Sequence, residues 1–316
     1  MVSIIIVNYN GVSFLEKLLN SIKKQTYKDF EIIFIDNNSS DHSLRIVENL
    51  KNSFSIKIIK NKQNLGFAKA CNQGIKESKG EYILILNFDV YLESNFLEMA
   101  LNGFRKDKKI GMVSGKILRF DKATIDSTGQ FLSITRKVIE RGYGKKDIGK
   151  FEKEGFVFSS CGACAFYKKE MLDQIKIDEE YFDEDFFSFW EDIDLGWRAN
   201  LFGWKGYYVP EAVAYHFRGG TQKRKTILGN FFRIASREKP IIFHVVKNHY
   251  LTLIKNEKLK DFVLYLPFIM GFDILLFLYL LFFSPSIFAM IYKNRKIFKR
   301  AIEKRKKIKN KLKEIQ

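Results

Sequence analysis

Strand-like and helix-like segments alternate about four times in the first 90 residues, and this constrains the fold more than any other feature of the chain. Residues 2–8 (VSIIIVN) form an apolar run rich in β-branched side chains, the pattern of a strand covered on both faces. Asn10-Gly11 ends it, and residues 13–24 then carry Phe14, Leu15, Leu18, Leu19 and Ile22 at helical spacing. A second strand is predicted over 31–35, ending at Asp36, followed by a helix capped by Asp41 that runs to residue 50. A third strand spans 56–59, residues 67–78 are helical, and a fourth strand over 82–86 ends at Asn87-Phe88-Asp89. Successive β–α–β units cross over right-handed and lay their strands parallel, so the expected class is α/β with a mostly parallel central sheet. Ligands of such sheets bind at the carboxyl ends of the strands, where Asn8, Asp36 and Asp89 fall.

The middle, 110–170, is less regular, with strand-like pieces at 112–118 and 156–160 and a loop, Arg141-Gly-Tyr-Gly144. A helix is predicted over 181–202, and short extended pieces over 207–210 and 213–216. Residues 184–198 (EDFFSFWEDIDLGWR) set Glu191 and Asp192 directly after Phe186, Phe187, Phe189 and Trp190. An apolar wall beside a carboxylate raises its pKa and excludes water, which suits a general base. The same residues also fit the charged first turn of an amphipathic helix, with Leu195 and Trp197 in the core and Asp192 and Asp194 at the positive end of the helix dipole.

The net charge is +18, but twelve Lys and Arg against two Glu place ten of those charges in residues 293–316. The body is too evenly charged for a nucleic-acid groove, so no nucleic-acid partner is expected. Three cysteines do not make a disulfide scaffold, and Met1 leads straight into a strand rather than a signal peptide, which together favour a reducing, cytoplasmic setting. Cys161 and Cys164 read as small buried residues rather than a redox or zinc pair, since no second ligand pair accompanies them. Residues 262–292 carry a single charge, Asp273, and are interrupted by Pro267 and Pro285. One membrane span fits by length, but the Asp and the prolines favour two short segments, lying in the interface or forming a hairpin. A helical basic tail next to this run suits an anionic membrane surface, on the cytoplasmic side. Three regions are expected: a catalytic-type domain over 1–225, a helical linker over 226–260, and the apolar segment with its tail over 261–316.

Three further sites carry possible chemistry. Asp36 in DNNSSD can accept hydrogen bonds from a base or ribose, or form an ordinary turn. Asn64-Leu-Gly66 opens a helix whose amides can meet phosphate. Asp89 can hold a hard cation beside a diphosphate, and His216 stands between an apolar strand and Arg218-Gly-Gly220.

The ordered set VSIIIVNYNG, DNNSSD, NLGFAKACNQG, LNFDV, CGACAFY, FFSFWEDIDLGWR and a His before a Gly pair resembles the inverting family-2 glycosyltransferases of the GT-A (Rossmann-like) fold, over residues 1–225. GKILRFD, DSTGQ and RGYGKKDIGKFE are similar to the rhamnosyltransferase-like branch that builds bacterial surface polysaccharide. The resemblance implies Asp192 as the base, with Glu191 orienting or contacting the acceptor. It implies Asn8, Asn10, Asp36, Asn64, Gly66 and Asn87 around the donor nucleotide, and Asp89 and His216 as ligands of Mg2+ or Mn2+. Gly162, Ala163, Trp190 and Arg218 would line the acceptor or sugar pocket. Asn87 stands where the family's metal motif has its first Asp, which removes one carboxylate from that site. The implied partners are a nucleoside-diphosphate sugar, either dTDP-rhamnose or a UDP-sugar, and a glycan or lipid-linked acceptor at the cytoplasmic face of the cell membrane. A nucleotidyltransferase would need a charged Gly-rich loop after the first strand, and Asn8-Tyr-Asn-Gly11 has none. A non-catalytic, membrane-tethered scaffold that binds sugar nucleotide is the remaining alternative.

Overall fold

The computed structural model describes residues 1–50, 55–217 and 238–315. The predicted alternation is present as β1 (Val2–Asn8), α1 (Val12–Lys23), β2 (Phe30–Asp36), α2 (Ser43–Leu50), β3 (Ile56–Lys60), α3 (Phe67–Lys76) and β4 (Tyr82–Asn87). β1 pairs in parallel with both β2 and β4, with Asn8 opposite Asp36 and Val7 opposite Asn87, so the three strand ends lie level at one edge of the sheet. The chain runs outward from β1 through β2 to β3 and then returns to place β4 on the other side of β1. Such a reversal opens a crevice above the strand ends. The cap predicted at Asp41 serves two helices: Oδ1 accepts the Ser43 N–H at 3.0 Å, and Oδ2 accepts the Val12 N–H at 2.9 Å.

The second half extends this sheet. It adds β5 (Val90–Leu92), α4 (Phe96–Phe104), β6 (Ile110–Arg119), β7 (Ile125–Ser127), β8 (Gln130–Leu132), β9 (Val138–Glu140), β10 (Gly155–Val157), β11 (Cys164–Lys168), α5 (Lys169–Ile175), α6 (Glu191–Leu201) and β12 (Lys205–His216). The strand order is β10-β12-β6-β11-β4-β1-β2-β3, with β5 on β12 and β7 on β6, while β8 and β9 form a separate hairpin. β11 lies antiparallel between β4 and β6, so the sheet is mixed though mostly parallel. Apolar side chains of β1, β2, β4, β6 and β11 fill a core on each face of the sheet.

Three expectations are corrected. Residues 181–202 are not one helix: a 3-10 turn at Glu184–Phe186 is followed by Phe187, Phe189 and Trp190 at φ of 65°, 69° and 71°, a left-handed conformation that no α-helix contains. The helix starts only at Glu191. The two extended pieces after 205 are one strand, β12, which slips register between Val209 and Val213, around Pro210. The apolar run is not two segments divided at Asp273. Helix α8 (Leu259–Phe283) continues through Pro267 and Asp273 and ends at Ser284-Pro285, where α9 (Ser286–Lys293) begins.

Helix α7 (Lys239–Asn256) precedes α8 and runs antiparallel to it, with Ile242, Phe243 and Val246 packed on Leu276, Tyr279 and Leu280. The basic tail forms α10 (Lys296–Ile315) and is neither free nor disordered. Lys304 pairs with Glu180, Asp183 and Asp185, Arg300 with Asp185, and Arg305 donates to the carbonyls of Ile254 and Glu257.

Candidate active site

A cleft of about 450 Å³ opens above the ends of β4 and β11. Its wall includes Asn87, Gly162, Ala163, Trp190, Glu191, Asp192 and His216, so the structure brings seven of the sequence-predicted residues into one space. Phe67, Gln130, Val138, Glu140, Tyr143, Cys161 and Val245 complete much of the rest.

Asp192 lies in the first turn of α6 and is 9% exposed. Its Oδ2 accepts the Gly162 N–H at 2.8 Å and the Gln130 amide at 3.0 Å, and its Oδ1 accepts its neighbour's N–H, Ile193, at 2.8 Å. Burial pushes the Asp192 carboxyl above its ordinary value, and these three donors pull it back. Burial pushes Glu191 further, to about 8, with the charge of Asp192 adding to the effect. The pair is placed by the strained aromatic loop before it. The Phe187 carbonyl accepts from Phe67 N–H at 2.6 Å and Ala68 N–H at 3.2 Å, and Asn248 of α7 reaches the carbonyls of Phe186, Ser188 and Phe189 at 2.6–3.0 Å. The ring of Phe187 stacks on His244, and Trp190 meets His249 edge-on. Gly66, at φ 82°, lets α3 approach this loop; a Cβ there would lie 2.6 Å from the Phe187 carbonyl oxygen.

The phosphate contact expected at the start of α3 therefore meets an obstacle: the amides of Phe67 and Ala68 are taken by Phe187, and that of Gly66 by Asn64 Oδ1 at 2.9 Å. Asn64 belongs instead to a side-chain network with Asn37 at 2.9 Å. Asn8, Asn10 and Asp36 form a second network at the ends of β1 and β2. Asn8 donates to Asp36 at 3.2 Å and to Ser39 at 2.9 Å, and Asn10, at φ 55°, accepts the Ser40 N–H at 2.7 Å. Asn8, Asn10, Asp36, Asn64 and Gly66 are not among the residues of the cleft wall; Asn8 and Asp36 face each other at the ends of β1 and β2, and the other three lie in the loops that follow β1 and β3.

His216 ends β12 beside Asp89, with Nε2 3.4 Å from Asp89 Oδ2. Its Nδ1–H donates to the fully buried Asp126 at 2.8 Å. Burial lowers the imidazole pKa, but the hydrogen bonds to Asp126 and Asp89 outweigh it and raise the pKa to about 9. With Nδ1 committed to Asp126, a neutral ring turns its Nε2 lone pair toward a carboxylate. That arrangement demands a cation between them, a proton or a metal ion, and the imidazole–carboxylate pair suits a borderline or hard divalent cation. Arg218 lies outside the described residues.

Asp126 and Gln130 escaped sequence reading as site residues because their contacts span 90 and 62 positions. The only signal for them is the DSTGQ segment itself.

Residues 3–176, over half of the chain, match the family described as Glycosyl transferase family 2. The chain is similar to the poly-beta-1,6-N-acetyl-D-glucosamine synthase of Staphylococcus epidermidis, 24% identical over 267 residues that cover 83% of this chain and 60% of that protein. A synthase of the same name from Staphylococcus aureus (strain COL) is 25% identical over 218 residues, covering 68% and 49%. The chain thus spans between half and three-fifths of the length of these curated relatives. Among solved structures it resembles GalNAc-T7 with UDP, GalNAc and Mn2+, at TM-score 0.59 and 16% identity over 81% of this chain and 48% of that one. It also resembles the mannosyltransferase PcManGT from Pyrobaculum calidifontis in complex with GDP-Man and Mn2+, at TM-score 0.56 and 15% identity over 98% and 85%. On this match and this sheet, the chain belongs to glycosyl transferase family 2 and has the GT-A fold.

Proposed function

We propose that the protein is an inverting glycosyltransferase that moves a sugar from a pyrimidine nucleoside-diphosphate sugar, a UDP-sugar or dTDP-rhamnose, to a hydroxyl of a glycan acceptor at a membrane. The observation that carries this reading is the state of Asp192: a buried carboxylate, kept ionisable by three donors, in a cleft whose wall also includes Asn87 and His216. The Asp192 carboxylate takes the proton of the acceptor hydroxyl as its oxygen attacks the anomeric carbon, and the bond from that carbon to the diphosphate breaks on the opposite face. Trp190, Gly162 and Ala163 shape the cleft on the acceptor side, and Glu191, still protonated near neutral pH, is available as a hydrogen-bond donor. Asp36, with Asn8 and Asn10 at the neighbouring strand end, would contact the base and ribose of the donor. Asp89 and His216, with Asn87 alongside, would hold a divalent cation, Mg2+ or Mn2+, which would supply positive charge for the departing diphosphate.

The membrane part of the reading is supported by α8, the one helix among the described residues long and apolar enough to cross a bilayer, with mean hydropathy 2.3. Only 22% of its most apolar window is buried. An exposed apolar face of this length is foreign to a soluble surface. The relatives named poly-beta-1,6-N-acetyl-D-glucosamine synthase, and the apolar helix, favour a lipid-linked or membrane-held glycan as acceptor and a place on the cytoplasmic face.

The test is a donor screen on the purified full chain. UDP-glucose, UDP-galactose, UDP-N-acetylglucosamine, dTDP-rhamnose and GDP-mannose are read by thermal shift and by nucleoside-diphosphate release, with Mn2+ and with chelator. A pyrimidine donor that stabilises the protein with Mn2+ and releases its diphosphate supports the reading. Binding without any release on addition of glycan acceptors would move the protein to the scaffold class.

A further inference from the structure

Along β7, the turn after it and the start of β8, the chain buries a run of polar residues that no apolar core requires. Thr124, Asp126, Ser127, Thr128 and Gln130 are each at most 3% exposed. Buried polar groups are destabilising unless each finds a partner, and here the partners are specific. Thr128 Oγ1 donates to the Arg141 carbonyl at 3.0 Å, Ser127 Oγ donates to Glu140, and the Gln130 backbone N–H donates to the Ser159 carbonyl at 2.9 Å. Two members of the run reach further, to two residues of the cleft wall, His216 and Asp192. Asp126 accepts from His216 Nδ1 at 2.8 Å. The Gln130 side-chain amide has two hydrogens and two acceptors: Glu140 Oε1 at 2.8 Å and Asp192 Oδ2 at 3.0 Å. Gly129 sets the turn between them: its φ is 103°, and a Cβ there would meet Val157 Cγ1 at 2.5 Å.

We propose that Asp126 and Gln130 are positioning residues on one buried segment that aligns both halves of the reaction: Asp126 turns His216 toward Asp89, and Gln130 fixes the Asp192 carboxylate. The proposal rests on the reading of Asp192 as base and of Asp89 and His216 as cation ligands. By accepting the Nδ1 hydrogen, Asp126 selects the tautomer whose Nε2 is free to ligate and locks the ring plane. By donating to Oδ2, Gln130 leaves that oxygen one fewer direction in which to move, while its second hydrogen, anchored on Glu140, prevents the amide from flipping. Because Gly129 separates the two by a fixed turn, a change in segment 126–130 alters the spacing between cation ligand and base. A merely structural run would have no reason to terminate on these two groups.

Three variants of the 316-residue chain test this, read first by Mn2+ titration using the EPR signal of free Mn2+, with no sugar nucleotide present. Asp126→Asn is expected to weaken Mn2+ binding about 10- to 100-fold, approaching the loss caused by His216→Ala. Gln130→Leu is expected to leave Mn2+ affinity unchanged while lowering kcat at least about tenfold, with the donor KM unaltered. Circular dichroism melts verify folding, and Asp126→Ser is the second variant should Asp126→Asn not fold. Asp126→Asn binding Mn2+ like wild type, while His216→Ala does not, overturns the role of Asp126. A Gln130→Leu enzyme with unchanged kcat, or one whose loss lies in Mn2+ affinity, overturns the role of Gln130. If His216→Ala itself binds Mn2+ normally, the assignment of the cation site falls first, and the role of Asp126 falls with it.

Discussion

Glu191 and Asp192 are adjacent carboxylates that the fold drives apart. Burial raises both, but Asp192 has the Gly162 and Ile193 amides and the Gln130 side chain to favour its charge, whereas Glu191 rises to about 8. The environment therefore assigns the ionised role to Asp192 and the protonated role to its neighbour. Asp192→Asn is expected to lower kcat by about 10²- to 10⁴-fold while leaving the donor-induced thermal shift intact; near-normal turnover would remove Asp192 as the base. Glu191 keeps its proton up to about pH 8 in the folded protein, against 4.5 for its ordinary value. Its contribution to stability is thus complete below pH 4.5 and is lost as the pH rises to 8. Melting temperatures of wild type should fall relative to Glu191→Gln between pH 5 and 8.5, and parallel curves would show that Glu191 is ionised throughout. The pair was legible in the sequence because its members are consecutive and follow an aromatic run. Asp126 and Gln130 were not, because their partners are brought to them by β12 and α6.

At the scale of elements, α7 is the part that local pattern describes least. Its spacing predicts only a helix within a linking region, yet its polar residues enter the body of the protein. Lys255 is fully buried and pairs with Asp183 and with Asp194 of α6, the latter at 2.8 Å. Asp194 also accepts from Arg198 at 3.1 Å and from Asn256 at 2.7 Å. Four carboxylates (Glu180, Asp183, Asp185, Asp194) meet four cations (Arg198, Lys255, Arg300, Lys304) where α6, α7 and α10 converge. Burial disfavours the charge on Asp183, but Lys255 and Lys304 hold its carboxyl well below the usual range. Removing one partner of such a cluster strands another charge in the interior. Lys255→Met is expected to destabilise the protein by about 3–5 kcal/mol in urea unfolding, and Lys255→Met with Asp183→Asn should recover part of that loss. Additive losses would mean that the two groups do not interact.

For the whole molecule, the cluster ties α6 to α7, on which the apolar helix packs. α8 packs on α7 by one face and presents Leu264, Phe268, Leu275, Leu281 and Phe282 on the rest, each 46–72% exposed. The loop of the β8–β9 hairpin reaches α8 as well: Arg136 lies 4.0 Å over the ring of Tyr265 and pairs with Glu257 at 2.6 Å. The tail divides its charges, with Arg300, Lys304, Lys307 and Lys311 engaged by the body and Lys293, Arg295, Lys296 and Lys299 exposed next to the apolar helices. Phe268→Glu/Leu275→Glu/Phe282→Glu is expected to abolish flotation with phosphatidylglycerol vesicles while leaving the donor-induced thermal shift unchanged. Flotation that persists would place the membrane contact elsewhere on the molecule.

The sequence by itself determined the β–α alternation, the positions of Asn8 and Asp36 at strand ends and of Asp89 just past one, the carboxylate pair, and the presence of a long apolar segment, because each is encoded within a few neighbouring residues. Tertiary structure decided the rest. It inserted β11 between β4 and β6, forced Phe187, Phe189 and Trp190 into left-handed backbone that α7 holds, and docked a tail whose charge alone suggested only a membrane surface. It also joined Asp126 to His216 and Gln130 to Asp192. These outcomes depend on contacts between residues far apart in the chain, and local propensity and periodicity carry no information about which distant partner will satisfy a buried charge or an unpaired strand edge.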